Sequence, residues 1–160
     1  MIDYISKSLG NVATLEREMK KPNFELLKDA YAIIDGIPDA AINLARIVSK
    51  GGRKPSCGTI ACAAGWLGFH PKMRAAGLKT QHNRLDNYYQ MTYRGEHDAG
   101  AYVYAMSEAF GLGRRDASEL FNGRQSSEKE GDFAKLSDKQ IWLRRVREFL
   151  KQHNQLSCQQ

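Results

Sequence analysis

Cysteine, proline and long apolar runs are scarce in this chain, and each scarcity closes a class of protein. There are three cysteines, an odd number, and the last of them, Cys158, stands in a polar tail. That pattern fits a reducing compartment better than a secreted disulfide framework. Four prolines and the lack of any low-complexity tract argue against long disorder. The main apolar run, residues 60–69, is far shorter than the ~20 residues that a bilayer span needs. Asp3 and Ser6 interrupt the first residues and no apolar stretch follows them, so no secretory leader is expected. These features point to the cytoplasm of a bacterium or of an infected cell, with no membrane association.

What is present is ordinary for a globular domain. Hydrophobic residues make up 42% and charged residues 26% of the chain, enough apolar matter for a packed core. A length of 160 residues fits one domain, read here as residues 1–155 with a short tail at 156–160. The net charge is +6, which favours an acidic partner, either nucleic acid or an acidic protein surface. Cations and anions are interspersed along the chain, so the total alone does not choose between them.

The most distinctive stretch is residues 57–69, apolar and rich in Gly and Ala. It reads as a short buried helix at the centre of the fold, over residues 59–67. Thr59 is the expected N-cap, its hydroxyl accepting the N–H of Ala61 or Cys62. At helical spacing Cys62, Trp66 and Phe69 form one stripe, while Ala61, Gly65 and Gly68 form another with almost no side chain. A neighbouring backbone can approach the second stripe closely. Gly65 in a helix costs about 1 kcal/mol relative to Ala, so a packing reason is expected. Thr59, Cys62, Gly65, Trp66 and Phe69 are therefore the candidate structural core. Two readings compete for the cysteines. Cys57 before a helix N-terminus suggests an activated thiol and a thiol-dependent enzyme. Alternatively, both Cys57 and Cys62 are small buried apolar side chains. The second is preferred, because the motif supplies no base. A disulfide between the two is geometrically conceivable but disfavoured in a reducing cytoplasm.

The string Cys57-Gly58-Thr59-x-x-Cys62-x-Ala64-Gly65-Trp66 resembles a C-G-T-x-x-C-x-A-G-W motif found in a group of small proteins from phage, prophage and bacterial genomes. In that group, as here, an acidic-apolar segment precedes the motif, and a helix ending in Leu-Phe follows it, similar to residues 117–121. The resemblance covers about half of the chain. It implies an origin and a helical fold rather than a reaction. It also raises the expectation of a protein that binds and alters a host protein.

Periodicity and caps predict a mainly α fold: a compact helical bundle of about six to eight helices around the central one. Ile2, Ile5, Leu9, Val12, Leu15 and Met19 mark an amphipathic first helix. Asn23 caps a second, with Phe24, Leu27, Tyr31 and Ile34 on one face. A third is predicted over residues 39–49 from Ile42, Leu44, Ala45, Ile47 and Val48. After Phe69, His70-Pro71 breaks the chain, and residues 71–76 suit one or two helical turns. Asp98 is the expected cap of a helix ending at Phe110, and residues 114–121 form the next. Ser137 and Gln140 form a capping box for the last helix, whose apolar face is Ile141, Trp142, Val146, Phe149 and Leu150.

Motifs with chemistry are weak. Gly51, Gly52 and Lys54 do not make a phosphate loop, because Pro55 separates Lys54 from Ser56 and no strand precedes them. Cys57, Cys62 and His70, with His82 or His97, match no common zinc spacing. No metal and no cofactor are expected. A cysteine hydrolase would pair Cys57 with His70 or His97 only through folding. Residues 79–96 are the least regular polar segment, and residues 79–94 are expected to form part of the contact surface, because Tyr and Arg are enriched at interface hot spots. Arg84, Tyr88, Tyr89, Tyr93 and Arg94 are the candidate partner-binding residues. The same residue types also suit single-stranded nucleic acid, and residues 88–93 have strand character. The helix pair around Gly111 and Gly113 outlines a helix-turn-helix, which makes Arg114, Arg115 and Arg124, with the basic last helix, the candidate nucleic-acid contacts. The leading expectation is a non-enzymatic interaction protein of phage or prophage type that modulates a bacterial protein, in counter-defence or host takeover. A nucleic-acid-binding regulator is the alternative, and a thiol enzyme using Cys57 comes third.

Overall fold

A computed structural model describes residues 21–50, 55–96 and 102–156. The amphipathic pattern at residues 2–19, and Asp98 and His97, lie outside these residues. Among the described residues there are six α-helices and two small antiparallel sheets, so the fold is mainly helical with added strands.

Helix α1 (Phe24–Asp35) forms where its cap and stripe predict. Asn23 accepts the N–H of Leu26, and Leu27, Ala30 and Ile34 are buried. The predicted third helix does not form. A single 3-10 turn (Asp39–Ala41) is followed by irregular chain and then strand β1 (Val48–Lys50), which pairs antiparallel with β2 (Ile60–Ala61). Asn43 supplies one local reason, since its side chain accepts the N–H of Ala45 at 2.9 Å and competes with a helical ladder. The larger reason is tertiary. The Arg46 and Ile47 carbonyls are drawn to the N–H of Cys62, at 3.1 and 3.2 Å.

The central helix is real but shifted. Helix α2 spans Ala63–Phe69, and its cap is Cys62, whose sulfur accepts the N–H of Gly65 at 3.4 Å. Thr59 is buried but is not the cap; its hydroxyl accepts the N–H of Ser56 in the turn before β2. The side-chain-poor stripe does what its composition implies. A Cβ on Gly65 would fall on the Ile47 carbonyl oxygen, and one on Gly68 would lie 2.5 Å from the Thr80 nitrogen. Two neighbouring backbones therefore cross α2 at its two glycines. Thr80 completes the seam by donating its hydroxyl to the Gly65 carbonyl at 3.0 Å. Trp66 donates its indole N–H to the Ala41 carbonyl at 2.8 Å and sets its ring edge-on to Phe69.

Helix α3 (Pro71–Ala75) starts at once from His70, whose Nδ1 accepts the N–H of Lys72. Strands β3 (Leu78–Asn83) and β4 (Tyr88–Tyr93) then form a hairpin in place of an open loop, with Leu78 opposite Tyr93 and Asn83 opposite Tyr88. Its base lies on α2 through Thr80. Helices α4 (Tyr102–Phe110) and α5 (Arg114–Phe121) follow, joined by a stacked Phe110–Phe121 pair. Two 3-10 turns (Ser126–Lys129 and Gly131–Lys135) lead to α6 (Asp138–Gln152), which carries the expected capping box. Ile141, Trp142 and Val146 of α6 close the core against Leu27, Phe121 and the other buried faces.

Candidate functional site

The hairpin settles how the five candidate contact residues relate. Successive strand residues point to opposite faces. Leu78, Thr80, His82, Tyr89, Met91 and Tyr93 therefore share one face, and Lys79, Gln81, Asn83, Tyr88, Gln90 and Thr92 share the other. Tyr88 and Tyr89 are adjacent in sequence but not in surface. Tyr88 is 47% exposed on the outer face, and its hydroxyl donates to Gln90 Oε1 at 3.3 Å. Tyr89 is half-buried and packs edge-on against His82 with ring centroids 5.0 Å apart. Tyr93, at the base, packs against the core. Arg94 follows it, with its guanidinium 5.1 Å from the Tyr93 ring centre. Met91 and Thr92 are both buried, so both faces are covered at the base and the outer face opens only toward the tip.

The tip is the four-residue loop 84–87. Asn83 Oδ1 accepts the N–H of Leu85 at 3.0 Å and of Asp86 at 3.4 Å, an Asx turn. Its amide donates to Asp86 Oδ2, and His82 Nε2 meets Asn87 Oδ1 at 3.2 Å. Asn87 takes the left-handed conformation, φ 52°, which Asn tolerates better than most residues. These bonds fix a loop that holds Leu85 95% exposed. Leu85 was not among the sequence candidates. The signal was a lone apolar residue inside the polar run 81–87, visible only once both strands are known to flank it.

The second candidate set comes apart. Arg124 turns inward, with Nε on Asp138 Oδ1 at 2.6 Å, Nη1 on the Glu128 and Phe133 carbonyls, and Nη2 on the Leu136 carbonyl. A guanidinium bonded in this way is a structural clamp and is not available to a phosphate. Arg115 is exposed and pairs with Glu119 at 2.9 Å. Asp116 stands beside it in the first turn of α5, where its carboxylate would repel DNA. Arg114 opens the same turn. The cations of α6 are also engaged. Arg144 stacks on Phe133, Arg147 donates to the Tyr31 hydroxyl, and Lys151 pairs with Glu148. Arg145 grips Glu128 at both oxygens, 2.8 and 2.5 Å, and donates to the carbonyls of Asn122 (2.6 Å) and Gly123 (2.9 Å). Burial alone would raise the Glu128 carboxyl. Hydrogen bonds from Arg145 and the Gln125 N–H, with the charges of Arg145 and Arg124, hold it below the ordinary glutamate value.

The thiol readings divide. Cys57 is exposed on the turn at residues 56–59, contrary to the expectation of burial, whereas Cys62 is buried, and both are free. Burial pushes the Cys62 thiol up to about 11, so it stays protonated and inert near neutrality. Tyr102 is likewise pushed up to about 12, mainly by burial and then by the Cys62 charge, with Arg145 opposing. Its hydroxyl reaches the Phe121 carbonyl at 3.0 Å. Among the described residues Cys57 has no hydrogen bond to a histidine. His70, His82 and His153 are each held within their own element. No group of three or more His, Cys, Asp or Glu among the described residues is placed to share a metal ion. No helix among them is long and apolar enough to cross a membrane.

Compared with models of known protein families, with curated proteins and with solved structures, the chain finds no match in any of the three.

Proposed function

We propose that this is a non-enzymatic binding protein of phage or prophage type that engages a bacterial protein through the tip of the β3–β4 hairpin. The observation that carries this reading is Leu85. It is a large apolar side chain held 95% exposed on a loop fixed by four hydrogen bonds of Asn83 and His82. Lone apolar residues on a surface are common, but a preorganised tip presents this one at little further ordering cost on binding. Arg84 beside it supplies a charge that suits an acidic rim on the partner. Of the sequence candidates, Arg84 and Tyr88 belong to this surface, while Tyr89 and Tyr93 serve the hairpin's own packing.

The test is a comparative capture from bacterial lysate at physiological salt, with the full-length protein as bait. A protein retained by the wild type and by Leu156→Ser, but lost with Leu85→Ser, is the expected result. Retention unchanged by Leu85→Ser, or no retention by the wild type, removes the proposal.

A further inference from the structure

We infer that the outer face of the hairpin binds single-stranded nucleic acid, an activity that shares Arg84 and Tyr88 with the tip but does not use Leu85. The starting point is where the unpaired cations lie. Residues 71–96 hold Lys72, Arg74, Lys79, Arg84 and Arg94 against Asp86 and Glu96, a net +3 out of the chain's +6. Lys72 pairs with Asp29 at 2.7 Å. Arg74, Lys79, Arg84 and Arg94 make no ion pair among the described residues, and each is exposed. The two carboxylates of the unit are engaged, Asp86 by the Asn83 amide and Glu96 by the Tyr104 hydroxyl.

Lys79 stands on the outer face itself, and Arg84 and the backbones of Arg74 and Arg94 lie at its two ends. Gly77 donates to the Arg74 carbonyl at 3.0 Å and accepts from the Arg94 N–H at 2.9 Å, which brings both arginine backbones to the hairpin base. Lys79 starts the outer face there, opposite Thr92, and Arg84 stands beyond its far end. Between them lie Gln81 opposite Gln90 and Asn83 opposite Tyr88. Asn83 is engaged in the tip loop and Gln90 accepts the Tyr88 hydroxyl, so the exposed Gln81 amide is the group that offers a donor and an acceptor to base edges. Tyr88 offers an exposed ring on which a base can stack, as single-strand binders use their aromatics. From Lys79 to Asn83 the face runs about 13 Å at ~3.3 Å per residue, room for a few unstacked nucleotides. A duplex hides its base faces from such a ring. An acidic protein surface matches the same charge and can also pack on a tyrosine, so competition with a polyanion that has no bases is the deciding measurement.

Fluorescence anisotropy of the full-length protein with a labelled oligo-dT of about 15 nucleotides tests this. With three phosphate contacts, affinity should fall about 20-fold between roughly 50 and 200 mM salt. At about 0.1 M salt, Lys79→Glu and Arg84→Glu should each weaken binding about fivefold or more. Tyr88→Ala should weaken it roughly tenfold, and Tyr88→Phe, which keeps the ring, should restore it. Leu85→Ser should leave it unchanged, which distinguishes this activity from protein capture through Leu85. Absence of binding at low salt overturns the inference. So does a duplex of equal length binding as tightly, or an equal loss on Arg115→Glu. Polyglutamate competing as well as oligo-dT would also overturn it and favour an acidic protein in its place.

Discussion

The α5–α6 end and the β3–β4 hairpin are both rich in cations and use them in opposite ways. At the α5–α6 end the guanidinium groups of Arg124 and Arg145 are buried to about four-fifths or more and directed at carboxylates and orphan carbonyls. They hold two 3-10 turns and the end of α5 in place, where no regular ladder satisfies the backbone. On the hairpin the backbone is already satisfied by strand pairing, and Lys79 and Arg84 are exposed. Arg124 and Arg145 are absorbed by the irregular turns beside them, whereas Lys79 and Arg84 of the hairpin make no ion pair among the described residues. Net charge therefore says little about which residues can meet a partner.

The sharpest way to break this comparison is to remove the most absorbed cation. Arg145→Ala leaves Glu128, 12% exposed in its side chain, without its ion-pair partner, with the Gln125 N–H still bonded to it, and strips the Asn122 and Gly123 carbonyls of their donor. A loss of about 3–5 kcal/mol in urea unfolding is expected. Adding Glu128→Leu to Arg145→Ala should recover part of it, because the penalty belongs to the orphaned partner. If Arg145→Ala costs no more than an exposed arginine does, the two regions do not differ.

Next in size is the seam joining hairpin to scaffold. Gly68→Ala pushes a methyl into the Thr80 backbone, an overpacking that costs about 1–3 kcal/mol. Amide exchange should speed up in β3 and β4 more than in α6. Uniform acceleration through both would mean that the hairpin is not a separately anchored unit.

A smaller effect should appear with pH. The Glu128 carboxyl is held below its unfolded value near 4.5, so its stabilising pairing is complete above that value. It is lost as pH falls through the lower folded value. The wild type should lose more stability than Glu128→Gln between about pH 6 and pH 3, as measured by urea midpoints. Equal losses would show that the pairing contributes nothing net.

These differences also explain what could be read from the sequence. Helices α1 and α6 were legible because a cap and a stripe agree in each, Asn23 with Leu27 and Ile34, and Ser137 with Ile141 and Val146. The glycines of α2 announced a close backbone approach, and the hairpin was foreshadowed by the strand character of residues 88–93. The stretch 39–50 was not legible. Ile42, Leu44, Ile47 and Val48 fit a helical face as well as an extended one, and the choice is made by α2, which receives the Ile47 carbonyl against Gly65. The cap of α2 was misplaced because hydroxyls usually outrank sulfur, yet Thr59 is engaged in its own turn. Arg124 and Arg145 looked like any surface arginine, since their partners Asp138 and Glu128 lie across irregular chain with no fixed spacing. For the surface candidates, residue type carries no information on facing: strand pairing sets Tyr88 on the outer face and Tyr89 and Tyr93 on the other.

The smallest expected effect lies on the other side of the comparison. Arg84→Ala and Lys79→Ala remove cations that make no ion pair among the described residues, and both side chains are exposed on a paired strand or a loop fixed by Asn83. Each should change stability by less than about 0.5 kcal/mol in the same urea measurement that registers Arg145→Ala as a large loss. Asn83→Ala should behave differently from both. It removes the acceptor shared by the Leu85 and Asp86 N–H groups, so protection of those two amides should fall while β3 and β4 keep theirs. A loss of hairpin pairing throughout would instead make the tip the nucleus that holds the two strands together.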